Sequence, residues 1–373
     1  MRRLWLVVLA LAAACAARAD VVQTPGGRVE GKVAFAAEGL QVGGKPVAWG
    51  DVLFVIRDPD GRSIRSPEAL RMASGEVWYA HVASLTAGKF KARLPLLGER
   101  ELDAGTVRAV DFVPDLSPPE PGDRPGTLYR EKGEPVPGTL MWIDEQRLAM
   151  DSPLGVLTLS REGLARYLFR GAAAAAAPKD DEVSLLDGST LRGLAKPTKD
   201  GLEMDHAILG KVAVPGRMVR SILRRPPGVA WLGELKPAAV NAVPLIAKAV
   251  PPEALEYPDL GGSRVWPGEL LAIRGVRIEP KCMVTYRLPA LPGQRLVFAA
   301  TVGPVEGMRG GVRLRLLAAG KTLLERDVLP GSKREAVTAE VPRNAELAIE
   351  VDFGPAQRFP CGILLGDPMV VGR

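Results

Sequence analysis

Histidine is almost missing from this chain. Of 373 residues only His81 and His206 carry an imidazole, the commonest general base and metal ligand. They lie far apart and near turns, so they read as surface or turn residues rather than as a paired site. No His-Glu-x-x-His motif, Gly-x-Ser-x-Gly nucleophile turn or glycine-rich phosphate loop with Lys-Ser/Thr occurs. The run Asp58-Pro59-Asp60-Gly61 starts like a calcium loop, but Pro67 stands where a closing carboxylate is needed, which leaves a proline-started turn. No catalytic residue, metal ligand or cofactor is assigned.

Long apolar runs are scarce as well. The one at residues 4–14 follows Arg2 and Arg3 and precedes Ala17-Arg18-Ala19, the pattern of a signal peptide over 1–19 with a mature start at Asp20. It is too short to span a bilayer comfortably. Cys15 behind Ala12-Ala13-Ala14 leaves lipoprotein cleavage as the alternative. The expected protein is exported (periplasm, cell surface or extracellular), with no transmembrane segment in the mature chain. Without Arg2, Arg3 and Arg18 the formal charge falls from +6 to +3. The remaining basic residues are scattered, with Arg224-Arg225 the only notable pair, and aromatics make up 5%. A nucleic-acid surface would concentrate cations and stacking rings on one face, so nucleic acid is not an expected partner.

What the chain has in plenty is punctuation: 33 prolines and 41 glycines between short Val, Leu and Ile runs. That spacing predicts a mostly β protein. Residues 20–225 repeat one pattern: a glycine, two variable residues, an apolar residue, one more residue, then Gly or Ala. The copies open at Gly26-Gly-Arg-Val29-Glu-Gly31, Gly75-Glu-Val-Trp78-Tyr-Ala80, Gly133-Glu-Pro-Val136-Pro-Gly138 and Gly188-Ser-Thr-Leu191-Arg-Gly193. They close on Val52/Val55, Val107/Val110, Leu164/Tyr167 and Val219/Ile222, with 55, 57 and 55 residues between successive closings. The opening glycines suit tight hairpins. One copy is too small to fold alone, so the copies are expected to pack in pairs as small antiparallel barrels or facing sheets.

The predicted order is β repeats 1 and 2 over 20–116, a proline-rich linker over 117–126, repeat 3 over 127–170, an alanine-rich linker over 171–181, repeat 4 over 182–228, and a β-sandwich over 229–373. Both linkers read as exposed, the second ending in solvated Asp180 and Asp181. Ser66-Pro67-Glu68 reads as a helix start between repeats 1 and 2.

The C-terminal part reads as a sandwich from its own strands at 283–288, 296–302, 312–317 and 347–353. It also resembles the NPCBM family of carbohydrate-binding modules. The resemblance rests on Trp231-Leu232-Gly-Glu-Leu235-Lys-Pro237, Val284-Thr-Tyr286-Arg-Leu288, Phe298-Ala-Ala-Thr-Val302-Gly303, Val312-Arg-Leu-Arg-Leu316 with Gly320-Lys321, and Leu347-Ala-Ile349-Glu-Val351-Asp352. It implies a jelly-roll or galactose-binding-like β-sandwich and sugar binding. Two departures stand out. Glu279 and Cys282 occupy the places of a histidine and a serine, and of an Asp/His/Asp/Trp cluster only Asp367 remains.

A sugar site needs an aromatic face and planar polar groups. Tyr257, Arg264, Trp266, Arg358 and Phe359 are the candidates, while Trp231 and Tyr286 read as core. Cys282, which opens the strand leading to Tyr286, and Cys361, which opens the last strand of the chain, invite a disulfide in an oxidising compartment. The reading is a secreted non-catalytic binding protein whose partner is a glycan or a cell-surface protein. The alternatives are a structural or interaction module that has lost its sugar site, and a divergent secreted glycoside hydrolase with two acids in a cleft.

Overall fold

The computed structural model describes residues 20–57, 66–113, 116, 122–171, 179–243, 274–355 and 358–373, and the backbone of Glu253–Glu256. Among them the regular structure is β-strand, with short 3-10 turns and no α-helix. The protein is mostly β, an array of small antiparallel units followed by a sandwich.

Each copy follows one route. In the fourth, Asp181–Leu185 turns into the long strand Thr190–Thr198, then a meander of Gly201–His206 and Gly210–Pro215, a 3-10 turn at Gly216–Met218, and the closing strand Val219–Leu223. The opening glycines take left-handed φ at Gly75, Gly133 and Gly188, while in the first copy Gly27 rather than Gly26 does so. The second small residue has a different cause. A Cβ on Gly138 would stand 2.5 Å from the Asp151 carbonyl oxygen, and one on Gly193 2.4 Å from that of Asp205. The long strand crosses its neighbour too closely there for a larger side chain.

Copies join through their closing strands. Phe54–Ile56 lies antiparallel to Val219–Leu223 with Val55 opposite Ile222, and Val107–Asp111 lies against Leu164–Leu168 with Val110 opposite Tyr167. Copy 1 thus pairs with copy 4, and copy 2 with copy 3. All eight closing residues are buried and belong to one continuous core shared by the four copies. Their spacing in sequence marks the residues that glue copies together.

A buried carboxylate braces three of the copies. Asp20, Glu68 and Asp181 each stand two residues before a core residue of the first strand (Val22, Leu70, Val183). Their oxygens accept from the backbone N–H of Val33 at 2.8 Å, Val82 at 2.7 Å and Ala195 at 3.3 Å. Each also pairs with an arginine: Arg57, Arg161 and Arg224 respectively. In copy 3 the place belongs to Gly126, and Leu140 N–H donates instead to the Tyr167 hydroxyl at 3.0 Å, which donates on to the Gly138 carbonyl at 3.1 Å. Tyr167→Phe leaves a buried N–H without its acceptor, and an unfolding free-energy loss of about 1–3 kcal/mol is expected in a urea titration.

Three expectations change here. Ser66-Pro67-Glu68 starts no helix, because Glu68 opens the strand Glu68–Met72 and its carboxylate is committed to Val82 and Arg161. Asp181 is buried rather than solvated, since it caps Ala195 and Arg225 N–H groups. His206 is no surface residue. Its Nδ1 accepts from the N–H groups of Ile208 and Leu209, so Nε2 carries the proton toward Glu76 at 2.7 Å, with Trp78 packed 5.5 Å away. That contact ties copy 4 to copy 2.

The C-terminal region is a two-sheet sandwich. One sheet runs Glu253–Glu256, Arg274–Ile278, Ile363–Gly372, Leu296–Pro304, Glu335–Val341, with Val229–Trp231 also on Ile363–Gly372. The other runs Ala239–Ala242, Cys282–Tyr286, Leu347–Phe353, Val312–Ala318, Lys321–Val328. Tyr286 and Trp231 are buried, at 2% and 4% exposure. Burial, with a smaller push from Cys282, raises the Tyr286 phenol to about 12.

The disulfide is not made. Cys282 and Cys361 are both free, buried thiols. Cys282 lies in one sheet and Cys361 enters the strand Ile363–Gly372 of the other. Both thiols belong to the core between the two sheets. Burial pushes both thiols up. The intact mass of the folded protein is expected to be the same with and without reductant. A gain of two protons on reduction would contradict the placement.

Candidate functional site

Of the candidate sugar-binding residues, Tyr257, Arg264 and Trp266 lie outside the described residues. Arg358 and Phe359 are described, and both are exposed in the connection between Leu347–Phe353 and Ile363–Gly372. The Phe359 ring is 46% exposed and meets the half-buried Phe353 ring edge-on at 5.6 Å and 80°. Arg309 N–H donates to the Pro360 carbonyl at 2.8 Å and fixes the connection. Leu329, 44% exposed, lies at this end of the sandwich beside Gly311 and Pro355.

Asp367 faces elsewhere. It is buried, takes φ +46°, and accepts from the Arg274 N–H at 2.9 Å. It also sits close enough to Arg28 of the first copy to favour that arginine's charge. Its strand, Ile363–Gly372, is buried along nearly its whole length. One face fills the sandwich core through Ile363, Leu365 and Val370. The other carries Met369 and Val371 into a second cluster with Val21, Leu53, Phe54, Ile56, Leu223 and Trp231. Neighbouring Trp231 and Leu232 divide the work, Trp231 joining the repeats and Leu232 the sandwich.

A buried charge network closes the same junction. Glu182 of copy 4 meets Arg274 at 3.0 Å, Arg192 at 2.9 Å and Arg225 at 3.6 Å. Arg225 reaches Glu234 at 2.7 Å, and Arg274 pairs with Glu234 as well. Burial pushes the Glu182 carboxyl upward, but Arg274, Arg192 and Arg225 together outweigh it and hold it below its ordinary value. Burial in turn lowers Arg274 and Arg225. Sequence reading singled out none of this cluster as a unit, because Glu182 and Arg274 are 92 residues apart.

Among the described residues no group of three His, Cys, Asp or Glu is placed to hold a metal ion, and no helix is long and apolar enough to cross a membrane. An open groove of about 450 Å³ lies beside Arg130, Lys132, Glu162 and Leu159.

No protein-family model and no curated protein matches the chain. Solved structures to which it is similar include carbohydrate-binding modules. One is a CBM51 from Clostridium perfringens GH95 in complex with methyl-galactose, at 15% identity over 38% of this chain and 99% of that one, TM-score 0.31. Another is the tandem CBM51 modules of Sp3GH98 from Streptococcus pneumoniae, at 10% identity over 85% of this chain and 93% of that one, TM-score 0.31. A third is the C-terminal CBM6 of LamC from Zobellia galactanivorans, at 13% identity over 36% of this chain and 92% of that one, TM-score 0.23.

Proposed function

We propose that this chain is an exported, non-catalytic accessory protein that binds glycan through the Phe359 end of an NPCBM-like sandwich, with the four repeats as its mount. The observation that carries the reading is the Phe359 ring: large, 46% exposed, and held edge-on by Phe353 beside the exposed Arg358. An exposed aromatic face offers the C–H face of a pyranose a surface to stack on. Tyr257, Arg264 and Trp266 belong to the same proposed set. The test is retention of the purified chain on immobilised galactosides, N-acetylglucosaminides and longer oligosaccharides. Phe359→Ala is expected to weaken the retained glycan about tenfold, some 1.4 kcal/mol, with the melting temperature unchanged. Retention untouched by Phe359→Ala and Arg358→Ala would overturn the site.

A second reading has its own observation. Asp367 and the outer face of Ile363–Gly372 are covered by copies 1 and 4, so the position kept from the family's polar cluster serves the junction between modules. In that reading the sandwich is a structural or protein-interaction module. Retention of no glycan by the unmutated chain favours it.

A further inference from the structure

The four copies are a controlled comparison in one molecule. The last strand of each meander is Lys45–Ala48, Gly98–Asp103, Gly155–Ser160 or Gly210–Pro215. The residue after the turn glycine is Lys45, Glu99, Val156 and Lys211 in turn. Copies 1, 2 and 4 carry what keeps a sheet edge from recruiting another strand: Lys45 with Pro46, then Glu99, Arg100, Glu101 and Asp103, then Lys211 with Pro215. Copy 3 reads Gly-Val-Leu-Thr-Leu-Ser, with neither charge nor proline.

That strand ends its sheet. Among the described residues it pairs on one side only, with Arg147–Ser152. Its neighbourhood is apolar and open: Leu154 at the turn is 87% exposed, Val156 64% and Met141 48%. In copies 2 and 4 the matching turns fold Leu96, Leu97, Ile208 and Leu209 onto the core. Copy 3 therefore lacks the charge or proline that all its siblings carry and the folded-in turn of copies 2 and 4.

We propose that Gly155–Ser160 is a pairing edge for a second copy of this chain, laid antiparallel across a two-fold axis. The molecule already joins its own units by antiparallel closing strands, and an uncharged strand meets itself with no like charges opposed. A two-fold contact of one patch with itself is also the commonest closure for identical chains. The alternation fixes the register. Val156, Thr158 and Ser160 face solvent, while Leu157 and Leu159 lean on the core. A two-fold perpendicular to the sheet keeps these faces aligned only if opposed residues share parity. Pairing all of 156–160 then sets Thr158 against Thr158, Leu157 against Leu159 and Val156 against Ser160.

Sedimentation equilibrium of the purified chain from about 1 to 100 μM is expected to show a monomer–dimer equilibrium. Val156→Lys, which copies Lys211 at the matching place in copy 4, is expected to weaken it at least tenfold and leave the melting temperature unchanged at dilutions where both proteins are monomers. Thr158→Cys is expected to give disulfide-linked dimers on mild oxidation, since opposed residues lie about 5 Å apart. A monomer throughout that range, a dimer indifferent to Val156→Lys, or a dimer that Thr158→Cys fails to cross-link would each overturn the proposal.

Discussion

Replacement of Arg274 by Met is expected to cost about 3–5 kcal/mol of unfolding free energy, the range for removing one partner from a buried ion pair. Arg274 is 7% exposed and touches Glu182 at 3.0 Å and Glu234. Its loss leaves two carboxylates at the junction with less than their compensating charge. The junction should loosen before the repeats or the sandwich lose their own cores. Trp231 sits there, its ring tilted 50° to that of Phe54 at 6.3 Å and its Nε1–H donating to the Arg224 carbonyl at 3.1 Å, so its fluorescence reports the event in a urea titration. The acid dependence follows from the same site. Glu182 titrates below the ordinary 4.5, so its contribution is complete above that pH and drains away as pH falls through the lower folded value. Glu182→Gln removes this part of the slope and should flatten the acid limb of the stability profile. An Arg274→Met protein within ~0.5 kcal/mol of the parent would show that the network holds nothing together.

Ile222→Ala is expected to cost about 3 kcal/mol. Ile222 is fully buried and stands opposite Val55 where copies 1 and 4 join, so the cavity opens in a seam that neither copy can close alone. Leu194→Ala on the same copy is the control. Leu194 is 60% exposed, and its truncation should stay within ~0.5 kcal/mol. Equal losses from the two would mean that the closing residues do not form the seam.

The closing pairs were legible because a repeat fixes the same buried position in every copy: Val55, Val110, Tyr167 and Ile222 recur at nearly constant spacing. The choice of partners was not, since copies 1 and 4 meet across the whole intervening chain and all four closing strands read alike. The bracing acids were hidden for a related reason. Asp20, Glu68 and Asp181 each look like a solvated charge ahead of an apolar strand. The available signal was their shared place two residues before a core position, with Gly126 as the exception that Tyr167 answers. The strands of the sandwich matched closely, as at Leu347–Phe353, because alternation over seven residues leaves one register. Cys282 and Cys361 read as a pair because each opens a strand, yet both are free thiols buried in the sandwich core, where a cysteine packs as a small apolar residue. Arg358 and Phe359 both stand exposed. Asp367 could not be placed from sequence, because the surface that covers it comes from the other end of the chain.

The central claim, that the Phe359 end of the sandwich recognises glycan, is tested most directly by a glycan-array screen of the purified chain beside its Phe359→Ala variant. The expected result is a small set of glycans retained by the parent and lost or weakened about tenfold by the variant. An identical pattern for the two proteins, or no glycan retained by either, would contradict it.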